Sequence, residues 1–117
     1  MEKNKIETYL GFCIRAGKIV FGVDRLEKQK KGVHLIIVDG GVGKNSLKPA
    51  LLAKERLHCP MITSESGVLG ETLHRHAVKV ASITDEHLAA AILSVVDSVA
   101  QFKLYSGGDN STYGKKI

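Results

Sequence analysis

The stretch Asp39-Gly40-Gly41-Val42-Gly43-Lys44-Asn45-Ser46 follows the apolar run Leu35 to Val38 and precedes a helical pattern, the order in which a phosphate-binding loop leaves a strand. Its chemistry would be phosphate held by loop amides and a lysine, with a hydroxyl on magnesium. The spacing refuses that chemistry. Such a loop carries a glycine five residues before the glycine of its Gly-Lys pair, where this chain has Val38, and a Ser or Thr directly after the lysine, where it has Asn45. No later strand ends in a second carboxylate suited to magnesium, so nucleotide hydrolysis is set aside. What is left is a glycine-rich turn between strand and helix, or free amides and Lys44 meeting a phosphate of a polynucleotide.

The other reactive residue types are scattered. Of His34, His58, His74, His76 and His87 only His74 and His76 stand close together, and no cysteine has zinc-finger spacing from them, so no metal site is expected. His58 precedes Cys59, but sequence neighbours point their side chains apart, and no Ser, His and acid set stands out; neither an enzyme nor a cofactor is expected. His74-Arg75-His76 suits RNA, since histidine stacks on bases and arginine pairs with phosphate. Cys13 and Cys59 sit in apolar stretches and read as buried thiols of a reducing compartment. The opening Met1-Glu-Lys-Asn-Lys-Ile has no apolar signal segment, and no run approaches the ~20 apolar residues of a membrane span. The expected location is the cytoplasm.

Charge points to a polyanion. The 117 residues carry net +5 with a pI near 9.3. The excess lies in the first half, where Met1 to His58 hold 12 Lys and Arg against 6 Asp and Glu, and the rest holds 5 against 6. A length of this order builds one core, and an aliphatic one, with three Tyr, three Phe and no Trp.

The elements that must position these residues follow from periodicity. Ile6, Tyr9, Leu10, Cys13 and Ile14 predict a helix from Lys5 to Ala16, stopped by Gly17. Lys18 to Phe21 reads as a strand broken by Gly22, and Asp24 to Lys31 as a polar helix closed by Gly32. Val33 to Val38 is nearly all apolar and β-branched, the kind of run covered on both faces. Asn45 or Ser46 can cap a third helix that ends near His58, with Pro49 tolerated in its first turn. Pro60 to Thr63 predicts a strand, Ser66 to His74 a short helix, and Val78 to Ile83 a fourth strand. Thr84 or Asp85 caps a last helix, with Leu88, Ile92, Val95, Val96 and Val99 inward, running to about Phe102. Residues 1–105 form one α/β domain, with a sheet of four strands between helices, and 106–117 read as a flexible basic tail. In such a sheet the starts of the second and third helices share one edge, which would gather Lys28, Lys30 and Lys31 of the second helix and Lys44 and Lys48 around the third into a basic rim.

The run Leu10-Gly11-Phe12-Cys13-Ile14-Arg15-Ala16-Gly17-Lys18-Ile19-Val20-Phe21-Gly22 resembles the opening of the bacterial members of the ribosomal protein L-seven-Ae and L-thirty-e family. The apolar strand ending in Asp39 and the pair Leu69-Gly70 before the last strand extend the resemblance over roughly Lys5 to Val99. The resemblance implies a three-layer α-β-α sandwich around a four-stranded mixed sheet, and binding of kink-turn RNA by one edge. RNA-binding members start their second helix with a glycine, any residue, asparagine, glutamate and a later lysine; here these are Gly22, Val23, Asp24, Arg25 and Lys28. Glycine and lysine match, whereas Asp24 only accepts hydrogen bonds and Arg25 only donates them. After Leu69-Gly70, Thr72 and His74 stand where the family has a small residue and a glycine. The expected function is a non-catalytic RNA-binding protein associated with the ribosome or translation. Lys18, Arg25, Lys28, Lys44 and Arg75 would supply charge, Gly22 close backbone approach, Asp24 an acceptor for a base edge, and Leu69 and Gly70 the second contact. The alternative is a protein-interaction module of the same fold without RNA binding.

Overall fold

Asn4 opens the fold: its side chain accepts the N–H of Glu7 at 2.7 Å, and α1 (Lys5–Ala16) runs until Gly17, whose left-handed backbone at φ 69° ends it. The computed structural model describes residues 4–105, so the expected tail at 106–117 lies outside the described residues. After α1 come β1 (Ile19–Phe21), α2 (Val23–Lys28), β2 (Leu35–Asp39), α3 (Lys44–Leu57) and β3 (Met61–Ser64). Then follow α4 (Val68–Leu73), β4 (Val80–Ile83), α5 (Glu86–Val95), a 3-10 turn (Val96–Ser98) and β5 (Phe102–Leu104).

The strands form one sheet in the order β1-β4-β2-β3-β5. β2 and β3 are parallel, as their connection through α3 requires, and every other pair is antiparallel. All five residues of β2 are buried, and its alternation divides the core. Leu35 and Ile37 join Ile6, Leu10, Leu69 and Ile92 from α1, α4 and α5, whereas Ile36 and Val38 join Leu26, Ala50 and Ala53 from α2 and α3. The result is an α-β-α sandwich, with a mixed sheet as the resemblance implied.

The sheet has five strands, not the expected four. Val95, Val96, Val99 and Phe102 keep a helical period, so the sequence reads as one helix to Phe102. Instead α5 stops at Val95, Val99 turns extended (ψ 107°), and Phe102–Leu104 pairs with β3. The free edge of β3 decides the matter, because its backbone groups gain partners that a longer helix could not give.

Several boundaries also move; β2 begins at Leu35 rather than Val33 and α4 at Val68 rather than Ser66. α2 ends at Lys28 rather than Lys31, where Arg56 from the far end of α3 donates to the carbonyls of Gln29 and Leu26. A side chain some thirty residues downstream thus closes α2, which no local signal announces. α3 is capped by Gly43, not by Asn45 or Ser46, so Pro49 falls in its second turn and leaves the Asn45 carbonyl without a helical donor. β4 begins at Val80 rather than Val78. At α5 the expectation holds: Asp85 accepts the Leu88 N–H at 2.8 Å.

Candidate nucleic-acid interface

β1, β2 and β3 all end at one edge of the sheet, and the antiparallel β4 and β5 begin there, so five loops meet along a single rim. Backbone bonds tie them in pairs: Gly22 N–H to the Val80 carbonyl (2.8 Å), Asp39 N–H to Lys79 (2.8 Å) and Glu65 N–H to Gln101 (2.9 Å).

Asp39 is the hub of the rim. Its carboxylate is fully buried and accepts from the N–H groups of Gly41 (2.8 Å), Gly67 (2.9 Å) and Leu69 (3.0 Å) and from the Ser64 hydroxyl (3.0 Å). The Lys79 ammonium stands 3.7 Å away. Burial pushes the Asp39 carboxyl upward, but the hydrogen bonds from Gly67, Gly41, Leu69 and Ser64 outweigh it and hold the group below its ordinary carboxylate value. One charge therefore fixes the β2–α3 loop against the β3–α4 loop and α4. Gly40 completes that contact, because a Cβ there would lie 2.7 Å from the Ser64 carbonyl oxygen.

The α4–β4 loop is set by Gly70. A Cβ on it would come within 2.9 Å of His76 Cα, so the absence of a side chain lets residues 75–76 lie directly on α4. Leu69 beside it is fully buried, and its N–H serves Asp39. These two residues shape the rim from below; neither offers a side chain to a ligand. From the loop so placed, Arg75 reaches over Phe21 with its guanidinium 4.7 Å from the ring centroid.

The remaining candidates sort by position. Gly22, with φ 93°, Asp24 and Arg25 stand at the start of α2, and Lys44 opens α3 beside them, all three side chains exposed. Phe21, Gly22, Val23, Ser46, Val78 and Lys79 line a hollow of about 290 Å³ between them. Lys28 is exposed at the far end of α2. Lys18 lies at the other end of β1, where its carbonyl accepts the Thr84 N–H at 2.9 Å and its charge acts on Asp85. The structure does not bring it to the rim. His74 leans away as well, with Nε2 3.4 Å from a Glu7 carboxylate oxygen.

Phe21, Lys79 and the hub role of Asp39 escaped the sequence reading. Asp39 had a signal: a carboxylate continuing a wholly apolar strand must be buried, and a buried carboxylate needs donors. Phe21 and Lys79 had none. Among the described residues the ion pairs are His74–Glu7 and Lys79–Asp39, so Arg25, Lys28, Lys44 and Arg75 have no carboxylate partner. No three His, Cys, Asp or Glu among the described residues gather as metal ligands would. No helix there is long and apolar enough to cross a membrane.

Neither a protein-family model nor a curated protein sequence matches the chain. Solved structures do. The chain is similar to a protein of unknown function from Bacillus halodurans C at 20% identity and TM-score 0.71, over 81% of this chain and 99% of that one. It is also similar to the Giardia lamblia 15.5kD RNA binding protein at 18% identity and TM-score 0.60, over 86% of this chain and 92% of that one. At such identities the likeness is one of fold.

Proposed function

We propose that the protein is a non-catalytic RNA-binding module of the L-seven-Ae-like type, associated with the ribosome or translation in the cytoplasm, which grips kinked, structured RNA by the rim around Gly22. The observation that carries this reading is the placement of exposed Arg25 and Lys44 in the first turns of α2 and α3, and of Arg75 over Phe21, around a hollow lined by Phe21, Gly22, Val23 and Ser46, with no carboxylate partner for the three cations among the described residues. Cations left unpaired at the edge of a fold that also serves an RNA binding protein suit phosphates brought together by a bent backbone. Gly22 admits a close backbone approach, Asp24 accepts from a base amino group, and the planar Arg75 guanidinium on Phe21 is held ready for a phosphate or a base face.

A titration tests the reading: labelled kinked RNA and a straight duplex of equal length, each at two salt concentrations, with the natural chain and Arg25→Glu. Affinity should fall steeply with salt, and Arg25→Glu should weaken it on the order of tenfold or more while the thermal midpoint holds. Unchanged affinity in Arg25→Glu removes Arg25 from the interface.

One observation favours a second reading, a protein-interaction module of the same fold. Asp24 and Arg25 replace the asparagine and glutamate that the resembling family uses to read RNA. On that reading neither RNA binds at either salt concentration.

A further inference from the structure

We propose that the larger hollow beside the rim, between the first turn of α3 and β5, is a second nucleotide subsite, which takes unpaired nucleotides continuing from the RNA held at the rim. The inference rests on the RNA-binding reading above and extends it to a part of the molecule that reading does not use.

The hollow arises from topology. After β2 the chain turns into α3 on one face of the sheet, and after β3 it turns into α4 on the other, so a crevice opens beyond the carboxyl ends of these two parallel strands. β5 then extends the sheet past the cover of α3 and supplies the outer wall. The space measures about 760 Å³, within the ~300–1,000 Å³ of small-ligand sites.

Its lining matches a nucleotide in kind. Val42, Leu47 and the half-buried Tyr105 provide apolar and aromatic surface for a base; Thr63 and Gln101 offer a hydroxyl and an amide to its polar edge. Lys103, in register opposite Thr63 and therefore on the same face of the sheet, brings one positive charge for a phosphate. Among the described residues the side chains of Thr63, Gln101 and Lys103 have no hydrogen-bond or ion-pair partner. Glu65 lines the hollow as well. Its carboxylate repels a second phosphate and accepts from a base amino group, so the base enters and the backbone stays outside.

Continuity selects RNA as the occupant. The first turn of α3 is the partition between the two hollows: Ser46 lines the smaller one and Leu47 the larger, with Lys44 at the tip. A strand leaving the rim over Lys44 meets the larger hollow next. Room for a base or two, with an aromatic platform, fits single-stranded nucleotides and excludes a duplex.

The test uses the full chain and fluorescence anisotropy with a kinked RNA, bare or extended by three unpaired nucleotides at either end. The natural protein should bind one extended RNA on the order of tenfold tighter than the bare one, as stacking of a base or two implies. That advantage should vanish in Tyr105→Ala and shrink in Lys103→Glu, an exposed position whose change cannot unfold the chain, while both variants hold the bare RNA as the natural protein does. Equal affinity for bare and extended RNA overturns the subsite and leaves the rim intact. An advantage that survives both substitutions overturns it too, and failure to bind any of the RNAs sinks the rim and the subsite together.

Discussion

Replacing Gly70 with alanine should destabilise the protein, although alanine is the better helix former and Gly70 lies within α4. Propensity alone favours the change by about 1 kcal/mol. Against it stands the loop: an added Cβ would lie 2.9 Å from both Cα and the carbonyl oxygen of His76 and 3.0 Å from that of Arg75. All three are backbone atoms, so relief requires the segment to move rather than a side chain to rotate. Overpacking costs about 1–3 kcal/mol, and three such contacts argue for the upper end. The net loss is then roughly 2 kcal/mol, or on the order of 10 °C in thermal midpoint for a domain of this size. Gly11 in α1 is the matched control, since its Cβ would meet only the Arg15 guanidinium at 3.5 Å, an ordinary contact. Gly11→Ala should gain about 0.5–1 kcal/mol and melt a few degrees higher. Thermal unfolding followed by circular dichroism at neutral pH measures both. A Gly70→Ala protein that melts at or above the natural one would refute the reasoning, because the close approach would then be one that the loop gives up freely.

Asp39 gives a pH dependence with a definite sign. Its folded pKa lies below the ordinary carboxylate value, so its stabilisation is complete above the unfolded value near ~3.9 and is lost as pH falls through the folded one. Asp39→Asn turns an amide N–H₂ toward groups that are themselves donors, which should cost about 2–4 kcal/mol at pH 7 and flatten the loss of stability in acid; parallel pH profiles for the two proteins would contradict the hub assignment. Burial pushes the Cys13 thiol up to about 11 and raises Cys59 as well, so neither should react with a thiol-specific dye in the native protein at pH 8. Both should react once the chain is unfolded, and rapid native labelling would show that α1 or the end of α3 opens locally.

The layers of the fold were legible because β2 is apolar from Leu35 to Val38 and α1 and α5 keep one buried face each. What failed was decided by distant partners. Nothing near Lys28 reveals that Arg56 will close α2, and nothing in Gln101 to Leu104 outweighs the helical period of the valines before it. The rim shows the same division. Gly22, Arg25 and Lys44 follow from reading where strands turn into helices, and the structure does place them at the starts of α2 and α3, whose first turns flank one hollow. Lys18 was grouped with them on charge, yet a strand has two ends, and three residues of β1 separate it from Gly22. Leu69 and Gly70 were singled out as contacts, whereas burial gives them the task of holding the loop that carries Arg75.

The strand order bears on how the chain assembles as it is made. β4 lies between β1 and β2, joining residues 19–21 to residues 35–38 through a segment synthesised about forty residues after β2. Until Val80–Ile83 has left the ribosome, β1 with α2 and β2 with α3 have no strand between them, and each exposes an unpaired edge. Contacts this distant in sequence slow folding, and they make it late and concerted. The two halves of the rim come into register in one step, when β4 enters, and a chain cut short before Val80 would carry every cation of the rim, Arg25, Lys44, Arg75 and Lys79, with no frame to hold them together.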